Sequence, residues 1–189
     1  MKDGSPAEYL SAGEQAVLVL DRTPFYAESG GQAGDAGGIE NGEVTFRVTH
    51  TTKTPGGVFL HHGTMESGAL ASLGGVTARV DENTRRATMR NHTAAHLLQA
   101  ALRKTLGNHV EQAGSMVNSK EVRFDFSHFE AMTPQEIRQV EELVNQTILA
   151  ALPVTTREMP LEEAKKQGAM ALFGEKYGAT VRVVRAGDF

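Results

Sequence analysis

A helical register running unbroken from about Thr84 to Leu106 limits the fold of this chain more than any other feature. Asp81 or Asn83 offers its start signal and Gly107 its stop. On such a helix Ala95, Leu98, Leu102 and Leu106 form one stripe that must find a core, and Arg85, His92, His96, Gln99 and Arg103 form a polar stripe beside it. The chain changes texture on either side of this helix.

Before it come short strand candidates separated by glycine-rich turns: Ala16 to Leu20, Val44 to Val48, Val58 to His62 and Val76 to Val80, with a turn at Pro55-Gly56-Gly57. That spacing predicts a small barrel or sandwich. After it, helices and strands mix. Glu121 to Phe126 alternates apolar and charged residues as a half-buried strand does, and Thr133-Pro134-Gln135-Glu136 is a capping box with proline at the first helical position. The helix it opens places Ile137, Val140, Val144 and Ile148 at core spacing and ends before Pro153. Val154 to Glu158 reads as extended, Leu161 to Lys166 as helical with Gly168 as its stop, and Thr180 to Val184 as a last strand. The predicted class is α+β, divided near Asp81 into a β-barrel domain over residues 1–80 and an α+β domain over 81–189.

Composition narrows the chemistry. A hydrophobic content of 40% with 22% charged residues describes an ordinary globular protein of one or two domains. No apolar run approaches the ~20 residues of a membrane span and no signal peptide is recognisable, so the expected compartment is the cytoplasm, with no membrane partner. With no cysteine, the chain offers neither a disulfide nor a thiolate ligand or nucleophile. A formal net charge of −4 means that any contact with nucleic acid has to come from local basic groups.

His92 and His96 lie four residues apart, just over one helical turn, so both imidazoles leave the same side and can converge on one metal ion. Tetrahedral zinc takes three or four protein ligands, which makes the pair half a site. Two histidines with satisfied hydrogen bonds at the edge of a core would carry the same spacing. Arg85 near the helix start opposes the helix dipole by about 0.3 to 1 kcal/mol, a cost that a phosphate or a nearby carboxylate would offset. The loop Glu28-Ser29-Gly30-Gly31-Gln32-Ala33-Gly34-Asp35 can bring backbone amides close to an anion, or its glycine pair can simply make a turn. Ahead of it, Thr23-Pro24-Phe25-Tyr26 supplies rings for base stacking or for the core. Gln112, in the polar stretch Gly107 to Ser115, can offer an amide to a small substrate or to solvent.

Taken in order, Tyr26 to Gln32 with Gly34-Asp35 and Gly37, Asn91 to Leu98, Gly107 to Ser115, Arg123 to Ser127, Gly168 to Gly178, and Val181 to Val184 with Gly187-Asp188-Phe189 resemble the internal editing region of bacterial alanyl-tRNA synthetases across nearly the whole chain. The resemblance implies a translation-factor type barrel followed by the α+β editing domain shared with threonyl-tRNA synthetases. It also implies hydrolysis of tRNA(Ala) wrongly charged with serine or glycine, within a parent enzyme that is an ATP-dependent alanine–tRNA ligase. A pocket made for alanine rejects poorly a smaller residue, or one that merely adds a hydroxyl.

By the same resemblance zinc is held by a His-x-x-x-His pair, matched by His92 and His96, and by a later Cys-x-x-x-His pair that this sequence lacks. Gln112 and Thr93 fall at substrate-binding positions, and Glu28, Ser29, Gly30, Gly31 and Gln32 help to place the acceptor end. Arg85 and Arg103 are the expected tRNA contacts, and no catalytic base is identified. The partners implied are the tRNA(Ala) acceptor end and the remaining domains of the synthetase. With two of four ligands, the expectation is a fragment, cut before the second ligand pair, that binds zinc and deacylates weakly while the parent does both. A tRNA acceptor-stem binding module without chemistry is the alternative. A zinc hydrolase of the His-Glu-x-x-His kind is disfavoured, because Thr93-Ala94-Ala95 supplies no glutamate.

Overall fold

The computed structural model describes residues 5, 7, 9–42, 44–70, 75–169 and 178–187. It mixes antiparallel sheets with a few helices, as the α+β expectation requires, and divides into two compact units. One comprises Met1–His92 and Met116–Val122, the other Thr93–Ser115 and Arg123–Phe189. The division falls inside the long helix, eleven residues beyond Asp81, and a later segment joins the first unit.

The first unit contains β1 (Leu10–Ser11), β2 (Gln15–Leu18), β3 (Gly37–Asn41), β4 (Val44–Lys53), β5 (Phe59–Ser67), β6 (Ala69–Leu70) and β7 (Thr77–Val80). Five of these form an antiparallel sheet in the order β2-β5-β4-β3-β7, and β1 pairs with β6. Closure between the edge strands β2 and β7, which a barrel requires, is not among the described pairings. Strand β3 carries two glycines and no alternating pattern, so it has little local signal. It forms because it is paired on both sides, by β4 and β7.

Alternation along β4 buries Phe46 and Val48, and then Thr51, an odd step that a period of two does not allow. A register shift between Val48 and His50 adds the extra residue that restores Thr51 to the buried set. Gly63 lies opposite: a Cβ there would fall 1.9 Å from the Arg47 carbonyl oxygen. The core of this unit is Leu10, Ala16, Leu18, Phe25, Ile39, Phe46, Val48 and Met65. Phe25 therefore fills the core and offers no stacking surface.

His61 is fully buried in the same unit. Its Nδ1 faces the Leu18 carbonyl at 3.0 Å, so Nδ1 carries the proton, and Nε2 accepts from the Thr23 hydroxyl at 2.8 Å. Phe25 packs edge-on against the ring. Burial pushes the His61 pKa below its ordinary value, and the ring stands neutral with both nitrogens satisfied.

Helix α1 (Glu82–Leu106) starts where the Asp81 carboxylate accepts from the Thr84 amide at 3.0 Å, which settles Asp81 as its N-cap. It stops at Gly107, whose φ is +117°. Beyond it come the paired strands β8 (Gln112–Val117) and β9 (Val122–Phe126), helix α2 (Pro134–Leu149), β10 (Val154–Pro160), α3 (Leu161–Lys166) and β11 (Thr180–Ala186). In the second unit Ala101 and Leu102 of α1 pack with Val110 and Val140, joined by Leu98, Leu106, Phe124, Phe126, Leu143 and Val144.

The capping box forms in both directions: the Thr133 hydroxyl accepts from the Glu136 amide, and the Glu136 carboxylate accepts from the Thr133 amide at 2.8 Å. That backbone bond, with a second from the Thr133 hydroxyl, holds the Glu136 carboxyl below its usual range. Only the middle of α2 is covered. Ile137 and Ile148, expected in the core, are 44% and 50% exposed, and Leu143 takes the place beside Val140 and Val144. Strand β11 has an upstream partner, β10, in register from Val154 opposite Ala186 to Pro160 opposite Thr180. Met170 to Tyr177 of the glycine-flanked segment, Asp188, Phe189 and the first four residues lie outside the described residues.

Candidate functional site

In the first unit the glycine-rich loop is built as a tight turn. Ser29 and Gln32 exchange both backbone hydrogen bonds, at 3.2 and 3.0 Å, and the two residues between them, Gly30 and Gly31, have φ of +57° and +79°. A two-residue connection with both centres left-handed is the type I′ turn, so the glycine pair serves local geometry first. The turn is tied down on two sides. The Glu28 amide donates to the Thr51 carbonyl at 2.9 Å, while Val117 donates to the Gly31 carbonyl at 2.8 Å and accepts from the Ala33 amide at 2.9 Å. Gly34 lies so close to β4 that a Cβ would fall 2.0 Å from the Thr51 oxygen. At the surface the Glu28 carboxylate meets Nε2 of His50 at 2.7 Å.

Asp35 closes the loop and is 6% exposed. Its carboxylate accepts the Tyr26 amide at 2.5 Å and Nε of Arg85 at 2.8 and 3.0 Å, with a further close contact from an Arg85 terminal nitrogen. Arg85 also donates to the Pro24 carbonyl at 3.1 Å. Of the two partners that could offset a cation in the first turn of a helix, the structure contains the carboxylate. The hydrogen bonds that Arg85 donates to Asp35 hold its pKa above its ordinary value, so the guanidinium is a fixed charge of the fold.

His92 is half-buried, and its Nδ1 lies 2.7 Å from Oε1 of Gln32. Gln32 is itself 8% exposed, at the end of the type I′ turn. Burial pushes the His92 pKa below the ordinary histidine value, which favours the neutral ring. Next to it, the Asn91 amide donates to the Asn118 carbonyl at 2.8 Å.

In the second unit Thr93 and His96 are exposed positions of α1, and Gln99, three residues further on, is 6% exposed. The Gln99 side-chain oxygen has no hydrogen-bond partner among the described residues. Arg103, expected to meet tRNA, donates across the helix end to the Val110 carbonyl at 3.3 Å. Gln112 opens strand β8, where the sequence read as polar loop, and its amide donates to the Ser115 hydroxyl at 3.1 Å. A pairing that spacing did not reveal joins His109 and His128, with Nε2 and Nδ1 2.8 Å apart and Phe129 stacked on His109. A separation of nineteen positions carries no periodic signal for it. Among the described residues no group of three or more histidine, aspartate or glutamate side chains is placed to hold a metal. His92 and His96 are thus a two-nitrogen donor set on one helix, of a chemistry that suits zinc and is short of its coordination number.

Residues 1–84 match the family described as tRNA synthetases class II (A). The whole chain aligns with alanine–tRNA ligases. It is 56% identical over 189 residues to that of Pseudomonas entomophila, and 56% identical over 188 residues to that of Nitrosomonas europaea, in each case covering 100% of this chain and 22% of the relative. With the Pseudomonas fluorescens enzyme the identity is 54% over 189 residues, with the same coverage. The chain is thus similar over its whole length to alanine–tRNA ligases, and it spans about a fifth of the length of the relatives it matches, 22%. No helix among the described residues is long and apolar enough to cross a membrane.

Proposed function

We propose that this chain is the editing region of an alanine–tRNA ligase and hydrolyses the aminoacyl ester of tRNA(Ala) mischarged with serine or glycine. The observation that carries the reading is an imidazole, His92, held by a buried amide one helical turn before a second imidazole, His96. The parent protein joins alanine to its tRNA using ATP, works in the cytoplasm, and supplies its other domains as partners of this one. Its synthetic pocket cannot reject glycine or serine strongly enough, so a second hydrolytic site is required.

The residues present fit zinc as two of its four ligands, His92 and His96. When bound, zinc polarises an ester carbonyl and acidifies a water. The neutral state of His92, favoured by burial, suits a ligand. Gln112 and Thr93 are assigned to the amino-acid moiety, and the backbone of the turn from Glu28 to Gln32 to the acceptor end of the tRNA. Arg85 and Arg103 are assigned to the tRNA backbone, each from a guanidinium that also bonds within the protein, to Asp35 and to the Val110 carbonyl.

Hydrolysis of Ser-tRNA(Ala) and Gly-tRNA(Ala), with Ala-tRNA(Ala) as control, tests the reading in the full-length enzyme that contains this sequence. Turnover should be sensitive to chelators and be lost in the His92→Ala and His96→Ala variants. Turnover indifferent to both changes and to chelators would refute it. Salt-dependent tRNA binding with neither hydrolysis nor metal response would make this a binding module.

A further inference from the structure

We infer that Gln32 is a positioning residue: its side-chain oxygen fixes His92 in the tautomer protonated on Nδ1, leaving the ring's lone pair on Nε2. The resemblance placed Gln32 against the substrate. The geometry points elsewhere, because the amide is buried and its oxygen is already 2.7 Å from the imidazole. An amide oxygen only accepts, so Nδ1 must donate, and a neutral imidazole has one proton to give.

The backbone around this contact is strongly held. Gln32 exchanges both its amide and carbonyl with Ser29 across the type I′ turn, and the neighbouring Gly31 and Ala33 bond Val117. The reach and direction of the Gln32 side chain are therefore set by a turn that requires glycine at two positions. A net hydrogen bond of ordinary strength biases a tautomer ratio by about two- to twelvefold. The glycine-rich loop thus acts through His92: it selects which nitrogen of that ring presents electrons.

Histidines that bind a metal through one nitrogen characteristically donate the other ring N–H to an oxygen, and loss of that partner weakens metal binding by about 10- to 100-fold. This second consequence rests on the zinc reading proposed above; the tautomer does not.

Long-range proton–nitrogen correlation spectra of the histidine rings, recorded on the 15N-labelled chain at pH 7.5, separate the two. His92 should show a protonated Nδ1 and an unprotonated Nε2. Gln32→Leu, which removes the acceptor at similar volume, should move it toward the Nε2-protonated form. Gln32→Glu should keep the Nδ1-protonated form and shift its proton further downfield, as a charge-assisted bond does. A wild-type His92 protonated on Nε2, or a folded Gln32→Leu protein with an unchanged ring pattern, would overturn the inference. If the leucine variant does not fold, the glutamate variant decides: an unmoved Nδ1 proton also overturns it.

Zinc affinity, measured in the full-length enzyme by competition with a chromophoric chelator, should fall about 10- to 100-fold for Gln32→Leu and be retained for Gln32→Glu. If the wild type binds zinc and the leucine variant binds it equally well, the positioning role fails. If the wild type binds none while the tautomer shifts as stated, the zinc reading fails and the role of Gln32 stands.

Discussion

Replacing Arg85 by methionine keeps the aliphatic stem of the side chain and strands the Asp35 carboxylate. That carboxylate is 6% exposed, against 31% for its partner, so it cannot recover water by a small movement. Removing one member of a buried pair costs about 3 to 5 kcal/mol. The lower end applies, because the Tyr26 amide still donates to Asp35 at 2.5 Å. The expected loss is about 3 kcal/mol, and with a urea slope of roughly 2 kcal/mol per molar the unfolding midpoint falls by about 1.5 M. Asp35→Asn should cost less, about 1 to 2 kcal/mol, since the guanidinium left behind reaches solvent. The double variant should be milder than the sum of the two by at least about 1 kcal/mol. Circular dichroism through a urea series measures all three. A midpoint shift below about 0.3 M with no coupling would place the pair among surface ion pairs worth ~0 to 1 kcal/mol and refute the reasoning. Arg85 would then be open to phosphate, and its loss would lower the salt slope of tRNA affinity by about one.

Gly34→Ala drives a Cβ to 2.0 Å from the Thr51 carbonyl, whereas Gly56→Ala meets its nearest atom at 3.7 Å. Thermal unfolding should show about 1 to 3 kcal/mol lost for the first and no more than about 0.5 for the second. Gly31→Ala must place a Cβ at φ +79° and should cost about 1 to 2 kcal/mol, read from the same transition. His61 and His92 both have pKa values lowered by burial, so the unfolded chain binds protons that the folded one refuses. Stability from them is complete above the unfolded value of about 6.5 and is lost as pH falls through the folded values. Urea midpoints measured from pH 7.5 downward should therefore decline, with a flatter decline in His61→Gln; a slope unchanged in that variant would dismiss its contribution.

The elements that were legible in sequence are those whose instructions lie within a few residues. Helix α1 announces itself by a stripe of Ala95, Leu98 and Leu102 between a capping aspartate and a stopping glycine. Helix α2 does so through the Thr133 and Glu136 box, and α3 through its glycine stop at Gly168. Strand β3 left no such trace, because its two glycines pair with neighbours on both sides without a pattern of their own. The residue added between Val48 and His50 was equally invisible, since a bulge is a relation between two strands.

The functional residues divide along the same line. Sequence alone determined that His92 and His96 share a helix face, because 3.6 residues per turn needs no tertiary information. It also settled that Gly30 and Gly31 would form a turn or a cradle. Tertiary structure decided which of these it is, and it brought Gln32 sixty residues along the chain to His92, Asp35 fifty residues to Arg85, and His109 to His128. Such pairings depend on how buried polar groups are satisfied once the sheet and helix have closed over them. A chain read in order holds the donors and acceptors, but only the packed fold determines which of them meet, because desolvation, the force that makes each pairing obligatory, does not exist until the core has formed.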